Sequence, residues 1–239
     1  MDKTEKRSFR QIAVNTLKTI GLLYWATRPI VGSMNLIGLQ FLMSYDEKML
    51  ASLAFIAFII FSISWIWNYY KKHTNHVSQK IGIKDFGIAF GLFILMRIIA
   101  VAGTLLNALV TGNAMTSNDA ALQSSNPLAI FPLFLILFNL TMGIFTPILE
   151  ELTFRGIFIE MWFKPERKWL PAFITSAIFS LAHGFDNVIT FSMYFAMGLT
   201  LYFAYDRRKN IKDSILVHVL NNGFIMMISF ISYLILYFS

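Results

Sequence analysis

Six stretches of this chain, 50–70, 86–110, 128–150, 169–186, 187–205 and 213–238, come close to the length and apolarity that a helix needs to cross a bilayer. Such a helix takes about 20 mostly apolar residues, and it must be a helix because hydrocarbon offers no water to pair an open backbone. A seventh stretch, 11–43, is interrupted by Lys18, Arg28 and Pro29, and reads as an interfacial helix leading into a span near 30–43. The fold class that follows is all-α: a polytopic transmembrane helical bundle of about seven helices, one membrane domain over 1–239. Composition agrees, with 56% hydrophobic and only 14% charged residues, where soluble domains carry about 25% charged. A disordered tail, a collagen-like rod and a secreted disulfide scaffold are all excluded. The first apolar run is broken by charge and no small-x-small cleavage site follows it, so it does not read as a signal peptide.

The charges fall between the spans in an uneven way. The N-terminus carries Lys3, Lys6, Arg7 and Arg10, and the loop after 70 carries Lys71, Lys72, Lys80 and Lys84. The turn near 165 carries Lys164, Arg167 and Lys168, and the loop near 209 carries Arg207, Arg208, Lys209 and Lys212. The alternate connectors hold almost no basic residues: Lys48 alone in 44–49, none in 111–127, none in 184–187. Fifteen of the 20 basic residues thus gather on one side, which the positive-inside rule makes cytoplasmic. The expected topology is N-terminus in and C-terminus out, in a cell membrane of bacterial plasma-membrane type. The net charge of +7 is then a topology signal. The expected surroundings are a lipid bilayer, not nucleic acid. The connector 111–127 is the one long polar loop and reads as external and flexible. No internal repeat is visible, which weakens a transporter reading.

There is no cysteine, so thiol nucleophiles, CxxC redox sites and cysteine-ligated zinc are excluded. Chemistry has to come from carboxylates, histidines, hydroxyls or a His/carboxylate metal. An ionisable group inside a bilayer costs about 2.5–3.5 kcal/mol on insertion scales, and the last third of the chain accepts that cost repeatedly. Glu150, Glu151 and Arg155 stand in F-T-P-I-L-E-E-L-T-F-R-G, His183 ends A-I-F-S-L-A-H, and His218 sits in S-I-L-V-H-V-L-N-N-G. Arg97, in L-M-R-I-I, is a further charge in an apolar run and receives no role from the sequence. His73 and His76 fall in a basic loop and read as solvated.

Helical spacing sorts these groups. Glu151 and Arg155 are i,i+4 with the glutamate first, the favourable order for an ion pair. Glu150 lies about 100° around the helix, so one carboxylate can be tied to the arginine while the other faces something else. Phe179 and His183 share a face, as do His218 and Asn222. Taken singly, each has a plain structural reading: an ion pair that makes two charges tolerable, a hydrogen-bonded histidine, an asparagine joining helices. Together, an unpaired glutamate, two histidines and an asparagine on three helices make a poor packing solution and a good catalytic one.

At these residues the sequence resembles the CAAX protease and bacteriocin-processing family, also called the Abi family, which includes the type II CAAX prenyl proteases. The family pattern is E-E-x-x-x-R, then F-x-x-x-H, then H-x-x-x-N. The chain has Glu150-Glu151-x-x-x-Arg155, Phe179-x-x-x-His183 and His218-x-x-x-Asn222, in that order and each in an apolar run. Gly198 and the D-S-I before His218 also fit. The resemblance covers about 141–225, which is the expected catalytic core. It implies a membrane-embedded endopeptidase acting on a membrane-associated peptide or protein. By position, Glu150 matches the catalytic glutamate, His183 and His218 the two histidines, Asn222 the oxyanion-side amide, and Glu151, Arg155 and Phe179 supporting positions. Prenyl-substrate specificity does not carry over on these residues.

The mechanism expected is water activated by Glu150, with His183 positioning it and His218 and Asn222 stabilising the oxyanion. No cofactor is required by that scheme. The rival is zinc held by Glu150, His183 and His218 with water in the open position, although no H-E-x-x-H pair is present. A non-enzymatic immunity or regulatory protein that uses the same cluster for binding is the alternative of a different class. At 1.5 Å per residue, Glu150 and His183 lie about 20 Å in from the basic turn near 165, but His218 lies only about 9 Å past Lys212. The depths agree only if helices tilt, if the 163–168 turn protrudes, or if the site is an open cavity.

Overall fold

The computed structural model describes residues 8–74, 78–122 and 127–239. Lys3, Lys6 and Arg7 of the N-terminal basic group, His76, and positions 123–126 of the polar connector lie outside the described residues. The elements are α1 (Phe9–Ala26), α2 (Arg28–Leu39), α3 (Tyr45–His73), α4 (Ile83–Thr111), the short α5 (Ser117–Leu122), α6 (Pro132–Trp162), α7 (Trp169–Ala182), α8 (Val188–Asp206) and α9 (Ile211–Phe238). Among the described residues no strand occurs, and the chain is a multi-pass membrane protein.

Three spans differ from their sequence-based bounds. The stretch 11–43 is two helices, α1 and α2, broken at Thr27 with Pro29 in the first turn of α2, because proline suits a helix start and not its interior. The span expected to end at 150 runs on to Trp162, so the paired glutamates sit inside a helix and not at its end. The stretch 169–186 shortens to the 14 residues of α7, about 21 Å against a hydrocarbon core of about 30 Å. Among the described residues five helices, α3, α4, α6, α8 and α9, have the length and composition to cross.

Helix ends follow local chemistry. Ser44 and Glu47 close a capping box at the start of α3, with Ser44 N donating to Glu47 Oε2 at 2.7 Å. Asn187 caps α8 by accepting from the amides of Ile189 and Thr190. Gly112, at φ 75°, ends α4 in the left-handed region open to glycine.

α6 and α8 bury most of their apolar windows, while α3, α4 and α9 show most of theirs to lipid. Lipid tails are as apolar as leucine, so helices here associate by close approach and polar contacts. A Cβ on Gly198 of α8 would stand 3.0 Å from the Cα of Ser176 on α7. A Cβ on Gly143 of α6 would stand 3.2 Å from the Cα of Gly223 on α9. At the basic end, Arg207 bridges Asp85 at 2.8 Å and Asp213 at 2.7 Å, and Arg208 pairs with Asp213 at 2.7 Å, sewing α4 to the α8–α9 turn. The hydrogen bond to Asp213 holds the Arg208 guanidinium above its ordinary value.

The same packing settles the depth question. A Cβ on Gly156 would lie 2.8 Å from the Tyr70 ring and 3.7 Å from Ile211 Cδ1. Gly156 is therefore level with the start of α9, and the six residues of α6 beyond it, about 9 Å, project past that level. The turn protrudes, and Glu150 and His218 meet.

Candidate active site

α6 is not a uniform α-helix. Thr141–Phe145 and Leu152–Phe158 are π-helical turns, one before and one just after the glutamate pair. Such turns are rare and recur at functional sites. Glu151 is fully buried, and its Oε1 accepts from Arg155 Nη1 at 2.9 Å and from His218 Nδ1 at 2.9 Å. Arg155, also fully buried, donates through Nη2 to the Gly198 carbonyl at 2.9 Å and lies 4.9 Å over the Phe179 ring. A carboxylate only accepts, so the proton on this edge of His218 belongs to Nδ1.

The other ring nitrogen looks the opposite way. His218 Nε2 faces Glu150 Oε2 at 3.7 Å, outside hydrogen-bonding distance. Glu150 keeps 14% side-chain exposure where Glu151 has none, so Glu150 is the carboxylate that an incoming group can reach. The expected division holds in this form: one glutamate is tied to the arginine, and the other faces a histidine. The sequence did not reveal that both flank one imidazole.

His183, just past the end of α7, approaches the Phe179 carbonyl with Nδ1 at 2.8 Å. The carbonyl can only accept, so Nδ1 carries the proton and Nε2 is left as an acceptor. Its ring is stacked on Tyr194 at 4.7 Å and tilted on Phe179 at 4.3 Å, and the same Phe179 ring stands 5.8 Å from His218. Phe179 thus spaces the two histidines. No hydrogen bond or ion pair joins His183 to Glu150 among the described residues. Asn222 has its amide engaged by neighbouring groups. Its Nδ2 donates to the Met142 carbonyl at 3.4 Å and its Oδ1 accepts from Asn221 at 2.9 Å, so its amide fastens α9 to the π turn of α6 one helical turn away from His218.

Tyr194 escaped sequence reasoning because a tyrosine in an apolar helix carries no local signal. It links His183 to the end of the molecule opposite the basic turns: its hydroxyl lies 3.3 Å from Thr116 Oγ1 and accepts from Asn118 at 3.4 Å. Beside it, the amide of Ser117 donates to Asp186 at 2.9 Å. Asn187 donates to Asn107, which donates to the Asn113 carbonyl. The described part of the polar connector is therefore a strap over His183. Hydrogen bonds from Ser117 hold the Asp186 carboxyl below its usual range.

Zinc can be tested against this arrangement. Among the described residues no three of His, Asp and Glu form a group that could hold a metal ion. Nδ1 of His218 is held by Glu151 and Nδ1 of His183 by a carbonyl, which leaves Nε2 of each histidine as the nitrogen a metal could take.

The model of the type II CAAX prenyl endopeptidase Rce1-like family matches residues 132–224, a range that holds all three motifs and every residue of this cluster. That stretch of the chain is similar to the type II CAAX prenyl endopeptidase Rce1-like family. A curated protein of Bacillus subtilis (strain 168), "Putative membrane peptidase YdiL", is 27% identical over 189 residues, covering 76% of this chain and 74% of that protein. No solved structure matches the chain. The family match and the relative together support a membrane peptidase in the general sense.

Proposed function

We propose that the protein hydrolyses a peptide bond of a membrane-associated peptide or protein within the membrane, with Glu150 as the base. The observation that supports it best is the placement of a reachable carboxylate, Glu150, 3.7 Å from an imidazole nitrogen whose ring is fixed from behind by a buried carboxylate. The bacterial relative favours a bacterial plasma membrane as its location.

Amide hydrolysis adds water to the carbonyl carbon, places negative charge on the carbonyl oxygen, and then breaks the C–N bond as the amine gains a proton. Glu150 takes a proton from the water as it attacks. His183 presents an acceptor nitrogen and holds the water's second O–H. His218, with Nδ1–H fixed on Glu151, offers Nε2 to the reacting group, and a proton carried there stabilises the oxyanion. Glu150 then returns its proton to the leaving amine. Asn222 adds a second oxyanion donor by releasing the Met142 carbonyl. Arg155 and Glu151 hold His218 in place. No step is routed through a metal, and cleavage is expected to persist after dialysis against 1,10-phenanthroline.

The test compares wild type with Glu150→Gln and Glu151→Gln for membrane abundance and for released peptides, by mass spectrometry of cells carrying each form. A general base contributes about 10²–10⁴-fold, so Glu150→Gln should stay abundant and lose its product by at least that factor. An abundant Glu150→Gln protein with an unchanged peptide profile would sink the protease reading and leave the cluster as a binding or packing device.

A further inference from the structure

Arg97 is left over by this mechanism. It lies in the middle of α4, one turn beyond Phe93, whose ring packs on Phe224 of α9. Its neighbour Met96 is fully buried in the cluster that holds Phe179, Tyr194 and Val217. Arg97 therefore borders the compartment of the candidate site. A charge there is costly unless it is answered, and among the described residues no hydrogen bond or ion pair answers it. Its Nε is buried without a partner. The acid that acts on it electrostatically is Asp119. That residue belongs to α5 in the strap, next to the Asn118 that bonds Tyr194 and two residues from the Ser117 that bonds Asp186.

A planar guanidinium with unused donors, at the edge of an apolar compartment, is suited to receive a carboxylate from outside the chain. We propose that Arg97 binds a carboxylate group of the peptide substrate. The proposal rests on the protease reading for the identity of the ligand. The carboxylate can be the free end of the peptide or an acidic side chain.

The probes are N-terminally acylated, dye-labelled octapeptides bound to the purified protein in nanodiscs, so that affinity is read without turnover. One pair differs only in a terminal carboxylate or amide. A second pair ends in amides and differs in an interior Glu or Gln. Wild type should bind the acid member of one pair about tenfold more tightly. A preference in the first pair names the chain end, and one in the second names a side chain. Arg97→Gln should collapse that ratio toward one, and Asp119→Asn should raise it by removing the negative charge that acts on Arg97. Equal binding within both pairs, or an acid preference that survives Arg97→Gln, overturns the proposal. If Arg97→Gln does not accumulate, the wild-type ratio and its change in Asp119→Asn decide. Cleavage by wild type and Glu150→Gln is followed on the same peptides. A preference without cleavage sinks the protease reading and keeps the anion site, and cleavage without a preference does the reverse.

Discussion

Arg155 and Arg97 both stand inside apolar helices of one bundle, and the protein surrounds them in opposite ways. Arg155 is fully buried and spends its two terminal nitrogens on Glu151 of its own helix and on the Gly198 carbonyl of α8, with Phe179 beneath it. Arg97 is half-buried, and among the described residues the acid acting on it is Asp119 of the short α5 in the connector. The difference separates two uses of a membrane charge. One that is answered by helices fixes the positions of those helices. One left without a hydrogen bond or ion pair is available to a group from outside the chain.

Breaking the closed region should have the largest effect. Arg155→Met leaves Glu151 buried beside a single partner, and losing one member of a buried pair typically costs about 3–5 kcal/mol. The expected result is loss of folded protein from the membrane, read as a collapse of detergent-resistant abundance and of the thermal unfolding midpoint. Arg155→Lys should recover little, since one ammonium does not reproduce the fork. Next comes Gly198→Ala, which sets a Cβ against the backbone of Ser176 and should lower stability by about 1–3 kcal/mol, as overpacking does. If Gly198→Ala unfolds at the wild-type midpoint, α7 and α8 are not locked where Arg155 meets the carbonyl.

The open region should respond weakly to the same assay. Arg97→Gln is expected to change stability by no more than about 0.5 kcal/mol, in the range of substitutions that remove no packed partner. A loss comparable to that of Arg155→Met would erase the contrast between the two arginines. The smallest effect concerns the strap. The Asp186 carboxyl is held below its ordinary value of 3.8, so the Ser117 contact is complete above that pH and is lost as pH falls through the lowered value. Hydrogen exchange at the Ser117 amide should therefore stay flat from neutral pH down to about 4, after correction for intrinsic rates, and should rise only below it.

The sequence made the bundle and the three motif blocks legible, because membrane length and charge placement are written in composition and i,i+4 spacing is written in position. It placed Glu151 with Arg155 correctly for that reason. What it could not supply was the partner across a helix interface. Nothing in the α9 sequence says that His218 meets Glu151 with one nitrogen and Glu150 with the other, or that Asn222 turns to the Met142 carbonyl. Those depend on how α6 and α9 approach, which Gly143 and Gly223 decide. The strap was legible only as a polar connector, since the groups that bind it, Tyr194 and Asp186, lie about 70 residues further along.

The π turn at Leu152–Phe158 means that α6 carries one more residue in that turn than an α-helix would use. Deleting one residue there would let the segment relax to ordinary α geometry. Were the turn instead wound as α-helix with every residue kept, everything past it would swing by about 100° relative to what precedes it. Glu150 and Glu151 would keep their places while the end of the helix that packs on Tyr70 and Ile211 turned away from them. The surplus residue thus acts as a phase shifter. It lets one continuous helix present its carboxylates to α9 at mid-depth and still show the correct face to α3 at the basic end, two demands that a strict 3.6-residue repeat does not meet together.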